Sequence, residues 1–120
     1  MIKYDSASDI EQRLSQIIDA LNLQHVDKSR LKCFRSTGSS SRAVARCYAL
    51  GKLWQKALNA PAHYAIEVIS EKFDVLPEEE KTKVLIHELL HIPQTFGGGF
   101  RQHDFACRKN VEILYRRLKQ

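Results

Sequence analysis

Ile10, Leu14, Ile17, Ile18 and Leu21 recur at three- and four-residue intervals, so the chain opens with an amphipathic helix. Ser8 and Glu11 have the spacing of a capping box, which predicts the helix start there. Residues 31–35 and 45–49 read as two short strands flanking the polar, turn-like run 36–41. Residues 52–58 suit one or two helical turns, with Trp54 either in the core or over a cleft. After a break at residues 59–62, the strongest strand pattern covers residues 63–70, with Tyr64, Ile66 and Val68 on one face and Ala65 and Ile69 on the other. Pro77 followed by Glu78, Glu79 and Glu80 marks a helix start, because proline fits the first turn and acids favour the positive end of the dipole. Val84, Leu85, Ile86, Leu89 and Leu90 carry that helix into the interior, and Pro93 stops it. A last helix is predicted from about Gln102 to Lys119, with Cys107, Val111, Leu114 and Leu118 as its apolar stripe. The order predicts a single α+β domain over residues 1–120: an N-terminal helix, a small, mainly antiparallel sheet of about three strands, a buried helix and a C-terminal helix.

The buried helix ends in His87-Glu88-Leu89-Leu90-His91. Histidines four apart sit about 40° apart around a helix axis, so both imidazoles reach one point in space. That point suits a Zn²⁺ ion, one per chain, with Glu88 beside it as general base for an attacking water. The competing reading, a core helix with two hydrogen-bonded histidines, carries the cost of satisfying buried imidazoles and a buried carboxylate without a metal. A tetrahedral catalytic site needs a third protein ligand. His103, Asp104, Cys107 and Glu112 lie downstream, beyond Gly97-Gly98-Gly99, which permits a chain reversal. The stripe of the last helix, extended back by four residues, lands on His103, which is therefore the expected third ligand. Glu112 lies nine residues further, about 180° round the helix, and is expected in solvent. Cys107 reads as a small buried hydrophobe and a distant alternative ligand. Asp104 is a candidate to orient a ligand histidine through its free ring N–H.

The run Lys83-Val84-Leu85-Ile86-His87-Glu88-Leu89-Leu90-His91-Ile92-Pro93, the glycine loop, Arg101, His103 and the basic tail resemble a small group of archaeal and phage-type metallopeptidases within the zincins. The resemblance covers most of the chain and implies a minimal zincin. The sequence departs from the metzincin pattern, which has glycine three and histidine six residues after the second motif histidine; here Gln94 and Gly97 stand there. The resemblance implies hydrolysis of extended polypeptide, with Glu88 moving the proton and Tyr64, His63 or Arg101 stabilising the oxyanion. It also implies that the strand before the active helix, residues 62–70, is an open edge holding substrate by backbone hydrogen bonds, an internal strand being the alternative. A zinc-stabilised module without activity and a basic nucleic-acid-associated protein are the other readings. Glu88 argues for the enzyme, since a structural zinc site has no use for it.

Hydrophobic residues at 43% and charged residues at 28% are ordinary for a soluble domain, and no apolar run reaches the ~20 residues of a membrane span. The opening Met1-Ile2-Lys3-Tyr4-Asp5 starts no secretory signal, and three widely spaced cysteines suit reduced thiols, which predicts a cytoplasmic protein. The net charge of +5 comes from two basic stretches, residues 28–46 and 101–119, which raises nucleic acid as a partner, as in the SprT-like DNA-associated proteases. The cations of the last helix spread around its outer face, so no tight nucleic-acid binding is expected at physiological salt. A mobility-shift titration at about 150 mM salt checks this: sub-micromolar affinity would contradict it, since non-specific complexes have a Kd of ~10⁻⁴–10⁻⁶ M.

Overall fold

The computed structural model describes residues 1–120. Four strands form one sheet: β1 (Lys3–Ser6), β2 (Leu31–Thr37), β3 (Ala45–Ala49) and β4 (Tyr64–Ile69), in the order β1-β2-β4-β3. β1 and β3 run antiparallel to their neighbours, and β2 and β4 are parallel. The α+β class holds, with one strand more than the sequence pattern predicts. That extra strand, β1, reads Lys-Tyr-Asp-Ser and is exposed throughout, so it carries no apolar alternation to reveal it.

β4 is the central strand rather than the edge. Tyr64 and Ile66 through Ile69 are all buried, and a strand buried on both faces belongs in the middle of a sheet. The open edge beside the buried helix is β3, whose alternating half-buried and exposed residues fit that place.

Helices cover one face of the sheet. α1 (Ser8–Ala20) buries Ile10, Leu14, Ile17 and Ile18 against Leu31 and Cys33 of β2. Its start does not use the Ser8/Glu11 box. Ala7 is the cap, its own N–H donates to the Cys33 carbonyl at 3.0 Å, and no side chain caps the helix. The short α2 (Lys52–Leu58) stands on the surface, with Trp54 60% exposed, so that ring is not in the core, and it does not line the cleft at the histidines. After the single turn α3 (Ser70–Phe73), α4 (Glu78–Leu90) begins behind Pro77 with three acids in its first turn, as the sequence predicts. It buries Leu85, Ile86 and Leu89 against Tyr64, Ile66 and Val68. α5 (Arg108–Leu118) packs Val111 and Tyr115 beside α4. It starts six residues later than expected, because residues 103–107 form turns and bends. No helix is long and apolar enough to cross a membrane.

Arg35 ties three pieces together. Its guanidinium meets Asp9 of α1 at 2.5 Å and Asp74, ahead of α4, at 3.0 Å. The hydrogen bond from Arg35 holds the Asp9 carboxyl below its ordinary 3.8. A carboxylate with a lowered folded pKa stabilises above its unfolded value and loses that contribution as pH falls through the folded one. Arg35→Met is therefore expected to lose about 1 kcal/mol or less at neutral pH, given the exposure of these partners. The wild type should lose this advantage below about pH 4. Urea titrations of both proteins at neutral and acid pH check this; a difference that persists unchanged in acid would contradict it.

Candidate metal centre

The last turn of α4 carries His87, and His91 caps the helix in helical conformation. Their rings meet edge to face with centroids 5.0 Å apart. His103 comes back over them, its ring centroid 5.5 Å from His87 and 4.9 Å from His91. Each of the three offers one ring nitrogen, and these nitrogens lie within 4.8 Å of one another. His103 is thus where the sequence reading places it, but for another reason: it is exposed on a turn before α5, not on the buried stripe of a longer helix.

The backbone of Arg101 brings His103 into place. The Arg101 N–H donates to the His91 carbonyl at 2.7 Å. The His91 Nδ1–H donates to the Arg101 carbonyl at 2.6 Å, which leaves Nε2 free for a metal. Phe100 stacks on the same imidazole, centroids 4.4 Å apart and 15° from parallel. A second anchor lies one layer deeper. The buried Tyr64 hydroxyl donates to the Gly99 carbonyl at 2.7 Å and accepts from the Gly98 N–H at 3.0 Å, so it holds the glycine loop.

The donor set fits a divalent transition metal. Burial first, and then the neighbouring histidines, hold His87 below its ordinary 6.5; burial likewise lowers His91 against the raising bond to Arg101. Both are therefore neutral at pH 7, the form that donates a lone pair. Three imidazoles suit zinc, copper, iron or nickel, and the negative end of the α4 dipole favours a cation there. Glu88 is only 6% exposed, and burial pushes its carboxyl up to about 7. A divalent cation at the triad would draw it back down. The cleft in front of these groups has about 300 Å³ and runs between the histidines, Glu88 and the edge strand β3.

The remaining candidates lie elsewhere. His63 bonds its own turn, with Nδ1 at 2.9 Å from the Pro61 carbonyl. The Arg101 guanidinium covers the Phe105 ring at 3.3 Å, so its backbone rather than its charge serves the site. Asp104 is exposed, and the group that orients His91 is a main-chain carbonyl instead. Glu112 pairs with Lys83 at 2.8 Å, and Cys107 caps α5; neither joins the triad. Cys47 and Phe100 also line the cleft, though no sequence motif singles them out. Cys47 shares the inward face of β3 with Ala45, and burial pushes its thiol up to about 12, reinforced by the charge of Glu88. The alternation of β3 contains that signal; nothing in sequence order places Phe100 on His91.

Of the three loop glycines only Gly98 requires its identity. Its φ is +97°, and a Cβ there would meet the Leu50 carbonyl at 2.6 Å and the Gln55 amide. Gly97 and Gly99 have ordinary space around them. Gly98→Val is expected to weaken metal binding about 10–100-fold, the range typical of lost supporting contacts, while Gly99→Ala changes it little. Competition with a metal-binding dye checks this; equal affinities in all three proteins would mean that the loop merely connects.

Comparison with known proteins agrees with this geometry. No curated protein and no solved structure matches the chain. The family described as "Putative phage metallopeptidase" matches residues 2–119, which include both histidines of the α4 motif, Glu88 and His103. The chain belongs to that phage metallopeptidase family.

Proposed function

We propose that the chain is a zinc-dependent peptidase that hydrolyses peptide bonds in extended polypeptide. The observation that carries this reading is the convergence of three histidine nitrogens within 4.8 Å beside a buried carboxylate, at one end of a cleft bordered by a free strand edge. A structural zinc site usually fills four positions with protein ligands, whereas three histidines leave one for water. Bound zinc supplies Lewis acidity to the water and to the scissile carbonyl.

The chain's own residues do the rest. β3 offers unpaired main-chain N–H and C=O groups along the cleft, and a substrate strand pairs with them by β-augmentation. Glu88 accepts the proton of the attacking water and returns it to the leaving amine, so that one carboxylate is base and then acid. Its burial keeps bulk water from competing for that proton. The Arg101 carbonyl keeps the proton of His91 on Nδ1 throughout.

Glu88→Gln is expected to keep one zinc per chain and to lose hydrolysis of an unfolded substrate such as casein by about 10²–10⁴-fold or more, because the general base goes while the ligands stay. Metal analysis together with fragment release checks both halves. Zinc-replete wild type that cleaves no polypeptide, or a variant as active as wild type, would contradict the reading.

A further inference from the structure

The helices leave the other face of the sheet open. Strand alternation and register put Tyr4, Phe34, Ala65, Glu67, Arg46 and Tyr48 on that face. Ala65 lies between Lys32 and Tyr48 in one cross-strand row, and Glu67 lies between Phe34 and Arg46 in the next. The small side chain of Ala65 leaves a recess of about 310 Å³ walled by Tyr4, Phe34 and Tyr48. Glu67 is the one charged residue that lines it. Its carboxylate is 7% exposed, and the Tyr48 hydroxyl donates to Oε1 at 2.6 Å. Glu67 takes part in none of the chain's ion pairs. Arg46, beside it in the row, instead donates to the Ser41 hydroxyl at 2.7 Å.

We propose that this recess binds a quaternary ammonium group, carried by a zwitterion whose anionic part rests against Arg46 or Lys32. The site lies on the opposite face of the sheet from the histidines and does not depend on the peptidase reading. A buried carboxylate without a counter-charge is costly, and a cationic ligand offsets that cost. The three aromatic rings attract a cation through the negative potential of their faces. The lining also decides which cation fits. It is apolar apart from Glu67 and the tyrosine hydroxyls, so a lysine ammonium, with three N–H donors, gives up more bonds to water than it regains. A trimethylammonium group has no donor to satisfy and presents methyl groups to the rings. Lys32 and Arg46 stand exposed on the same face, outside the recess, and repel a bare cation. An anion attached to the ligand turns that repulsion into attraction.

The test titrates the protein with phosphocholine, with choline, and with the uncharged isostere of choline that has a tert-butyl group in place of trimethylammonium. The tyrosine ring signals are followed by NMR. Phosphocholine is expected to bind best, and choline about tenfold or more tightly than its isostere. Glu67→Gln can still accept from Tyr48, and it is expected to erase the gap between choline and the isostere. Ala65→Leu fills the recess and is expected to abolish binding of all three. Changing Lys32 and Arg46 together to glutamine is expected to bring phosphocholine down to the level of choline. Sedimentation with phosphatidylcholine vesicles separates the two sources of the group: co-sedimentation that Ala65→Leu abolishes upholds the site with a lipid headgroup, and binding of phosphocholine alone upholds it with a free molecule. Equal affinity for choline and its isostere, no binding of any of the three, or a preference that survives Glu67→Gln would overturn the proposal. So would a single-stranded oligonucleotide that binds this face when choline does not, since aromatic rings beside lysine and arginine also stack bases.

Discussion

The hydrogen bond between the His91 ring and the Arg101 carbonyl, 2.6 Å long, is what the candidate site depends on. α4 alone supplies two imidazoles and a carboxylate. The third imidazole belongs to a stretch without regular structure, and it stays near α4 because the chain is fastened to His91 just before it. The fastening is double, since the Arg101 N–H returns a bond to the His91 carbonyl. Tyr64 does the same for the glycine loop from the centre of the sheet. The hydroxyl of Tyr64 and the Nδ1 of His91 are thus occupied in placing other groups, and only Nε2 of His91 faces the triad. This division of labour explains how a short domain builds a three-histidine site without a third helix to carry the last ligand.

Glu88 shows the same economy from the energetic side. Moving a carboxyl from its ordinary 4.5 to about 7 disfavours the ionised form by about 3 kcal/mol. No arginine or lysine is placed to offset this. Burial is the sole influence on the group, so a cation at the triad is the natural counter-charge. Several basic residues of the chain are committed elsewhere: Arg13 and Lys81 to Glu78, Lys28 to Asp19, Arg35 to Asp9 and Asp74, Lys83 to Glu112.

Much of this was legible in the sequence where apolar spacing is strong. α1, α4 and β4 carry continuous stripes, and the histidine spacing on α4 follows from helix geometry alone. The failures have separate physical causes. β1 escapes notice because its four residues are exposed and polar. For β4 the apolar residues on both faces support an internal strand while the zincin resemblance implies an open edge; the internal alternative holds, and the edge is β3. The α5 stripe extended backwards predicts His103 on a buried helix face. The imidazole does lie beside the α4 histidines, but it is exposed, on turns and bends over residues 103–107 ahead of α5. The Arg101 clamp acts through main-chain atoms, which a sequence pattern does not show. Asp104, His63 and the Arg101 guanidinium suit the site by chemistry and by nearness in the chain, but His63 bonds the Pro61 carbonyl, the guanidinium covers Phe105, and Asp104 is exposed outside the histidine group.

X-ray absorption at the zinc edge tests the central claim most directly, because it counts the atoms around the metal without assuming any activity. The account predicts one zinc per chain with three imidazole nitrogens and one light atom from water, and a loss of one imidazole in His103→Ala. A sulfur in the coordination shell, or an unchanged spectrum in His103→Ala, would contradict it.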